Sequence, residues 1–190
     1  MKIKVSCIQT NSFISPIENI NHVSNLIKKA IKQKSDLICL PECVGIFTDN
    51  KRKLNNFCKN DNIFLNFIKE LSKKYKVHFI IGSLPFIKLN KKFLNRSLVI
   101  NNKGKVIAEY DKINLLDVKL NSKEKYLESK LYDPGKKIKV VSLPWGKLGL
   151  SICYDLRFPN LYRKLSIAGS LFLSIPSAFT ETTGKKHWHS

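Results

Sequence analysis

Three short segments carry residue types able to do covalent chemistry. In Leu-Gly-Leu-Ser-Ile-Cys-Tyr-Asp-Leu-Arg-Phe-Pro, residues 148–159, a buried strand delivers Cys153 to a sharp turn just before a helix. Such a turn exposes a thiol at the end of a sheet and places backbone N–H groups near it for an oxyanion. A helix N-terminus also favours thiolate over thiol. Glu42 follows directly on the apolar run Leu37-Ile38-Cys39-Leu40-Pro41. A carboxylate at a strand end in a partly dry cleft has a raised pKa and serves as a general base. Lys112, in Glu109-Tyr110-Asp111-Lys112-Ile113-Asn114, stands at another strand end, where an ammonium stabilises a developing oxyanion. Each also has a plain reading. Cys153 fits a small buried hydrophobe, Glu42 a solvated loop carboxylate, and Lys112 one of many surface lysines.

The elements that must position these side chains follow from hydrophobic spacing. Residues 3–10 alternate as a strand. Ser15-Pro16-Ile17-Glu18 forms a capping box with proline at the first helical position, and Ile20, Val23, Ile27, Ala30 and Ile31 recur at helical spacing to about residue 34. Leu37–Pro41 and Val77–Ser83 read as buried strands, with a helix over about 61–75 between them. Hairpins then follow: 95–102 with 105–110 around Asn102-Lys103-Gly104, and 138–143 with 147–152 around Pro144-Trp145-Gly146. Phe158 to Ala168 forms a helix ended by Gly169, and Leu171–Ile175 a strand. The order β-α-β-α-β followed by hairpins predicts an α/β layered domain with a mixed sheet. The least structured stretch is about 115–137. A Thr-Thr-Gly turn precedes the final His187-Trp188-His189-Ser190.

Composition excludes several classes. With 190 residues, 43% hydrophobic and 25% charged, the chain is that of a folded domain. No apolar run approaches the roughly 18 residues of a membrane helix, and the N-terminus has no signal-peptide core. The net charge of +20 invites a nucleic-acid reading, but the basic clusters, such as Lys51-Arg52-Lys53, Lys91-Lys92 and Lys185-Lys186, are spread along the chain. Only four of the 34 basic residues are arginine, and no stacking-aromatic pattern accompanies them. Five cysteines without a secretory signal place the chain in a reducing compartment, read as cytoplasmic. Cys39 and Cys43 lack a second ligand pair at zinc spacing, so no metal site is expected. Asn95-Arg96-Ser97, a glycosylation pattern, falls inside a strand and has no meaning there. Expected partners are a small-molecule substrate, with neither nucleic acid nor membrane.

Taken together, LPE at Glu42, YDKINLLDV at Lys112 and GLSICYDLRFP at Cys153 resemble the carbon-nitrogen hydrolase (nitrilase) superfamily, whose Glu, Lys and Cys occur in this order. The resemblance runs from residue 3 to the chain end, one domain over 1–190. It implies a four-layer α-β-β-α sandwich with Glu42 as base, Lys112 as oxyanion stabiliser and Cys153 as nucleophile, through a thioester. Glu128, in YLESKLYDPG, matches a supporting glutamate, and the Tyr154 N–H would share the oxyanion. CYDLRFP with PSAFTETTGKKHW looks like the Nit branch, which implies deaminated glutathione or a 2-oxo acid monoamide as substrate and no cofactor. Arg157, Phe179 and Thr180, with Tyr154, lie near the nucleophile in sequence. Arg157 suits a substrate carboxylate or a structural ion pair.

Family members continue past the HW motif, so the C-terminal part of that sandwich is missing here. Lys185-Lys186 stand where the Nit branch usually has Pro-Ala, and His189 where it usually has Glu. Members commonly form homo-oligomers, and the full domain would do so. The rival reading is an inactive truncated paralogue or fragment that acts only by associating with a partner.

Overall fold

A computed structural model describes residues 2–59, 62–88, 92–119 and 125–188. The first strand, β1 (Val5–Cys7), leads to α1 (Pro16–Lys32), which begins where Ser15 Oγ accepts the Glu18 N–H at 3.3 Å. That is one half of the expected capping box. Its apolar stripe buries Val23, Ile27 and Ala30. β2 (Leu37–Cys39), α2 (Lys51–Lys59), α3 (Ile63–Tyr75) and β3 (His78–Ile87) follow. The strands β1, β2 and β3 run parallel, as crossover helices require.

α2 had no counterpart among the expected elements. Its basic triplet reads as surface charge, and only Leu54 and Phe57 are buried, too short a stripe to show a period. Asn50 Oδ1 accepts from the N–H groups of Arg52 and Lys53 at 3.0 and 3.1 Å, which starts the helix.

β4 (Phe93–Ile100) and β5 (Val106–Asp111) extend the first sheet antiparallel, giving the order β1-β2-β3-β4-β5. The stretch expected to be least structured instead contains a small hairpin, β6 (Asp117–Lys119) with β7 (Lys125–Leu127), and a 3-10 turn over Glu128–Lys130. Its residues 120–124 lie outside the described residues, as do Lys91, His189 and Ser190.

A second sheet holds β8 (Lys139–Leu143), β9 (Gly146–Leu150) and β10 (Phe172–Ser174) in the order β10-β9-β8, with α4 (Pro159–Ile167) before β10. Thr182-Thr183-Gly184, expected as a turn, lie inside α5 (Glu181–His187), because Thr180 Oγ1 caps the N–H of Thr183 at 3.2 Å.

Two apolar cores separate the layers. One packs α1, α2 and α3 through Val23, Ile27, Leu54, Phe57, Phe64 and Ile68 onto Ile38, Phe79, Ile81, Leu98 and Ile100 of the first sheet. The opposite face, with Leu37, Ile80, Val99, Ala108 and Tyr110, meets Val141, Leu143, Leu148 and Leu150 of the second sheet. α4 packs on β9 with Leu161 and Leu165 buried. The result is helix, sheet, sheet, helix: the four expected layers. Each fully buried aliphatic or aromatic side chain contributes about 1.5–3 kcal/mol.

Candidate active site

Glu42 is aimed by the turn that follows β2. Leu40 N–H still pairs with the Ile80 carbonyl at 2.8 Å, and the chain then crosses close over β3. Gly82 permits that crossing, since a Cβ there would overlap the Leu40 and Pro41 carbonyls. Ser83 completes the seat: its N–H donates to the Pro41 carbonyl at 3.3 Å, and its Oγ accepts the Cys43 N–H at 2.9 Å. Cys43 is left-handed, with φ +54°. The Glu42 carboxylate, 5% exposed, faces inward. Its Oε1 accepts from Lys112 Nζ at 3.1 Å and from Asn95 Nδ2 at 2.9 Å, and its Oε2 accepts the Ala178 N–H at 2.9 Å.

Lys112 directly follows β5 and is only 2% exposed. Its backbone is held on both sides, donating to the Asn95 carbonyl at 2.9 Å and accepting from Gly135 N–H at 2.8 Å. A side chain at Gly135 would overlap the Asp111 carbonyl, which explains the glycine in the Asp-Pro-Gly run. The ammonium donates to Glu128 Oε2 at 2.9 Å as well as to Glu42. Burial disfavours its charge, but the Glu42 and Glu128 carboxylates outweigh burial and hold the ammonium above its ordinary range. Glu128 is fixed in turn, accepting the Leu116 N–H at 2.8 Å and Asn95 Nδ2 at 3.1 Å.

Cys153 opens a 3-10 turn over Cys153–Arg157. Its N–H donates to the Pro176 carbonyl at 2.9 Å, and its φ of +47° marks a strained left-handed backbone, as reactive turns often have. Burial pushes the thiol up to about 12; the neighbouring Glu42 carboxylate adds to this and Lys112 opposes it. The expected helix-end thiolate is therefore not found. The α-helix begins only at Pro159, and the thiol keeps its proton beside Glu42. The arrangement can pass that proton to a neighbouring carboxylate, beside a fixed cation.

Asp155 locks the Cys153 turn to the Lys112 segment. It is fully buried; its Oδ2 accepts from Tyr110 Oη at 2.7 Å and Ile152 N–H at 2.9 Å, and its Oδ1 from Asn114 N–H at 2.9 Å and Asn114 Nδ2 at 2.8 Å. Sequence reasoning passed over Asp155, Tyr110, Asn114 and Asn95. Asn95 left a signal: it is the polar residue at an inward position of β4, between buried Phe93 and Ser97.

The remaining expected residues are less tightly gathered. A cavity of about 1130 Å³ is lined by Glu42, Pro176, Ala178 and Phe179, but Lys112, Glu128, Cys153, Tyr154, Arg157 and Thr180 are not on its wall. Tyr154 is half-buried with its ring edge on Phe158, and Arg157 is exposed. Thr180 is committed to capping α5. Among the described residues, no group of three His, Cys, Asp or Glu side chains could hold a metal, and no helix is long and apolar enough to cross a membrane.

Two facing sheets flanked by helices, with a glutamate, lysine and cysteine meeting at their strand ends, define an α-β-β-α hydrolase fold. Residues 4–190 match the carbon-nitrogen hydrolase family, and the chain belongs to it. It is 33% identical to the omega-amidase NIT3 of Saccharomyces cerevisiae, over 99% of this chain and 67% of that protein. It is 36% identical to a deaminated glutathione amidase of Dictyostelium discoideum, over 90% and 62% respectively. The crystal structure of the Caenorhabditis elegans NitFhit protein superposes with a TM-score of 0.89 at 32% identity, covering 97% of this chain and 46% of that one. The chain thus spans about two thirds of the length of these amidases.

Proposed function

We propose that this chain is the catalytic part of an amidase that hydrolyses a small linear amide. The observation that carries the reading is the buried contact between Lys112 and Glu42, 3.1 Å, with the Cys153 thiol beside that same carboxylate. Cys153 sulfur attacks the amide carbon as Glu42 takes the thiol proton. Lys112, with the N–H of Tyr154, balances the tetrahedral oxyanion. Glu42 returns the proton to the leaving nitrogen, ammonia or an amine departs, and a thioester remains. Water, deprotonated by Glu42, hydrolyses it. Glu128 keeps Lys112 charged and aimed. No step calls on a metal or organic cofactor.

The relatives named as omega-amidase and deaminated glutathione amidase support two candidate substrates, 2-oxoglutaramate and deaminated glutathione. Both would release 2-oxoglutarate, so one product assay serves for both. Product from the wild type and none from Cys153→Ala is the expected result; equal rates would reject the reading. One observation favours the partner-dependent alternative: Leu171, Leu173, Ile175 and Trp188 are exposed along and beyond β10. Under that alternative, turnover would be absent from the isolated chain and the protein would elute as an assembly.

A further inference from the structure

We propose that Asn95 is a positioning residue for this site, its single amide fixing both carboxylates so that one oxygen of Glu42 is reserved for the thiol proton. The inference rests on the amidase reading and adds to it a residue with no assigned part. Asn95 lies on β4, 4% exposed, its backbone carbonyl taking the Lys112 N–H. Its Nδ2 donates to Glu42 Oε1 at 2.9 Å and to Glu128 Oε1 at 3.1 Å, using both amide hydrogens on two different carboxylates.

A carboxylate oxygen has two lone pairs. Glu42 Oε1 receives Asn95 and Lys112, so both of its lone pairs are engaged. Among the described residues Oε2 receives one backbone N–H, from Ala178, which leaves it one lone pair. The thiol proton therefore has one destination. Without Asn95, Glu42 and Glu128 share only the lysine, and the Glu42 carboxylate keeps one donor on each oxygen, Lys112 and the Ala178 N–H, so its orientation is less tightly fixed. Asparagine also suits the charge: it is neutral and donates, in a place flanked by two anions and one cation.

The groups facing Asn95 and Glu42 are Lys112 from the end of β5, Glu128 from the 3-10 turn, Cys153, Cys43 and the Tyr132 phenol. Glu42 takes the thiol proton only while its open lone pair points at the sulfur, and the Asn95 bond helps to hold it there.

The test compares Asn95→Ala and Asn95→Asp with wild type. A hydrogen bond to a charged group corresponds to about a 10- to 100-fold change. For Asn95→Ala, kcat falls by about that factor with KM little changed. Asn95→Asp keeps the shape but sets a third carboxylate where the donor stood, so its kcat falls further. Should Asn95→Ala fold poorly, Asn95→Ser, whose hydroxyl reaches at most one carboxylate, takes its place with an intermediate loss of kcat. Alkylation of Cys153 by iodoacetamide at one fixed pH, read by peptide mass, slows in the same order without any substrate. Variants with the wild-type kcat and alkylation rate and only a lower melting temperature would overturn the proposal. If the wild type hydrolyses no amide, the functional reading fails, while the alkylation rate still decides the role of Asn95.

Discussion

Asp155 offers the sharpest stability test, because four donors converge on one buried carboxylate. Asp155→Asn keeps the shape but turns one oxygen into an NH2 group. Either orientation sets that group against two donors: Tyr110 Oη and Ile152 N–H on one side, or the two Asn114 groups on the other. Two charge-assisted hydrogen bonds are then lost, each worth about 1.5–3 kcal/mol. The expected destabilisation is about 3–6 kcal/mol. For a domain of this size each kcal/mol lowers the melting temperature by about 2–4 °C. The melt should fall by at least about 6 °C, measured by circular dichroism. Tyr110→Phe removes one of the four bonds and should fall by about half as much. The double variant should lose less than the sum, since both act on one network. An Asp155→Asn melt within about 2 °C of wild type would refute the assignment of Asp155 as the lock between the lysine segment and the nucleophile turn.

Three other outcomes are expected. Gly82→Ala forces the Glu42 turn off β3 and should cost about 1–3 kcal/mol together with most of the activity, read from melts and 2-oxoglutarate release. At pH 7, iodoacetamide should label Cys7 before Cys153. A hydrogen bond from Cys39, opposed by burial, lowers the Cys7 thiol to about 6, so it is mostly thiolate at that pH, whereas Cys153 near 12 is mostly thiol; peptide mapping that finds the reverse order contradicts the charge balance described for the site. If Arg157 meets a substrate carboxylate, Arg157→Ala should raise KM about tenfold and leave the melt unchanged, whereas a structural ion pair would lower the melt instead.

The periods of 3.6 and 2 gave α1, α3 and both main hairpins away, because each buries several apolar residues on one face. α2 was hidden, since two buried side chains make no period. The hairpin just before Glu128 was hidden too, as three-residue strands are too short to alternate visibly. Glu42 was legible because a carboxylate directly after an apolar run is conspicuous, while Lys112 and Cys153 stood out through motifs that resemble the family in the same order. What aims them was not. Asn95, Asp155 and the Ala178 N–H act through contacts across 33 to 136 residues of chain, and spacing carries no trace of such distances.

The two carboxylates around Lys112 leave this dry pocket one negative charge in excess while the thiol is protonated. On the proposed route, addition neutralises Glu42 and creates an oxyanion at the substrate, so the total is the same before and after. The negative charge simply changes owner within reach of one ammonium. The protein has no new ion to solvate at the top of the barrier, and a second glutamate that looks redundant is what keeps the cation in place while the exchange occurs.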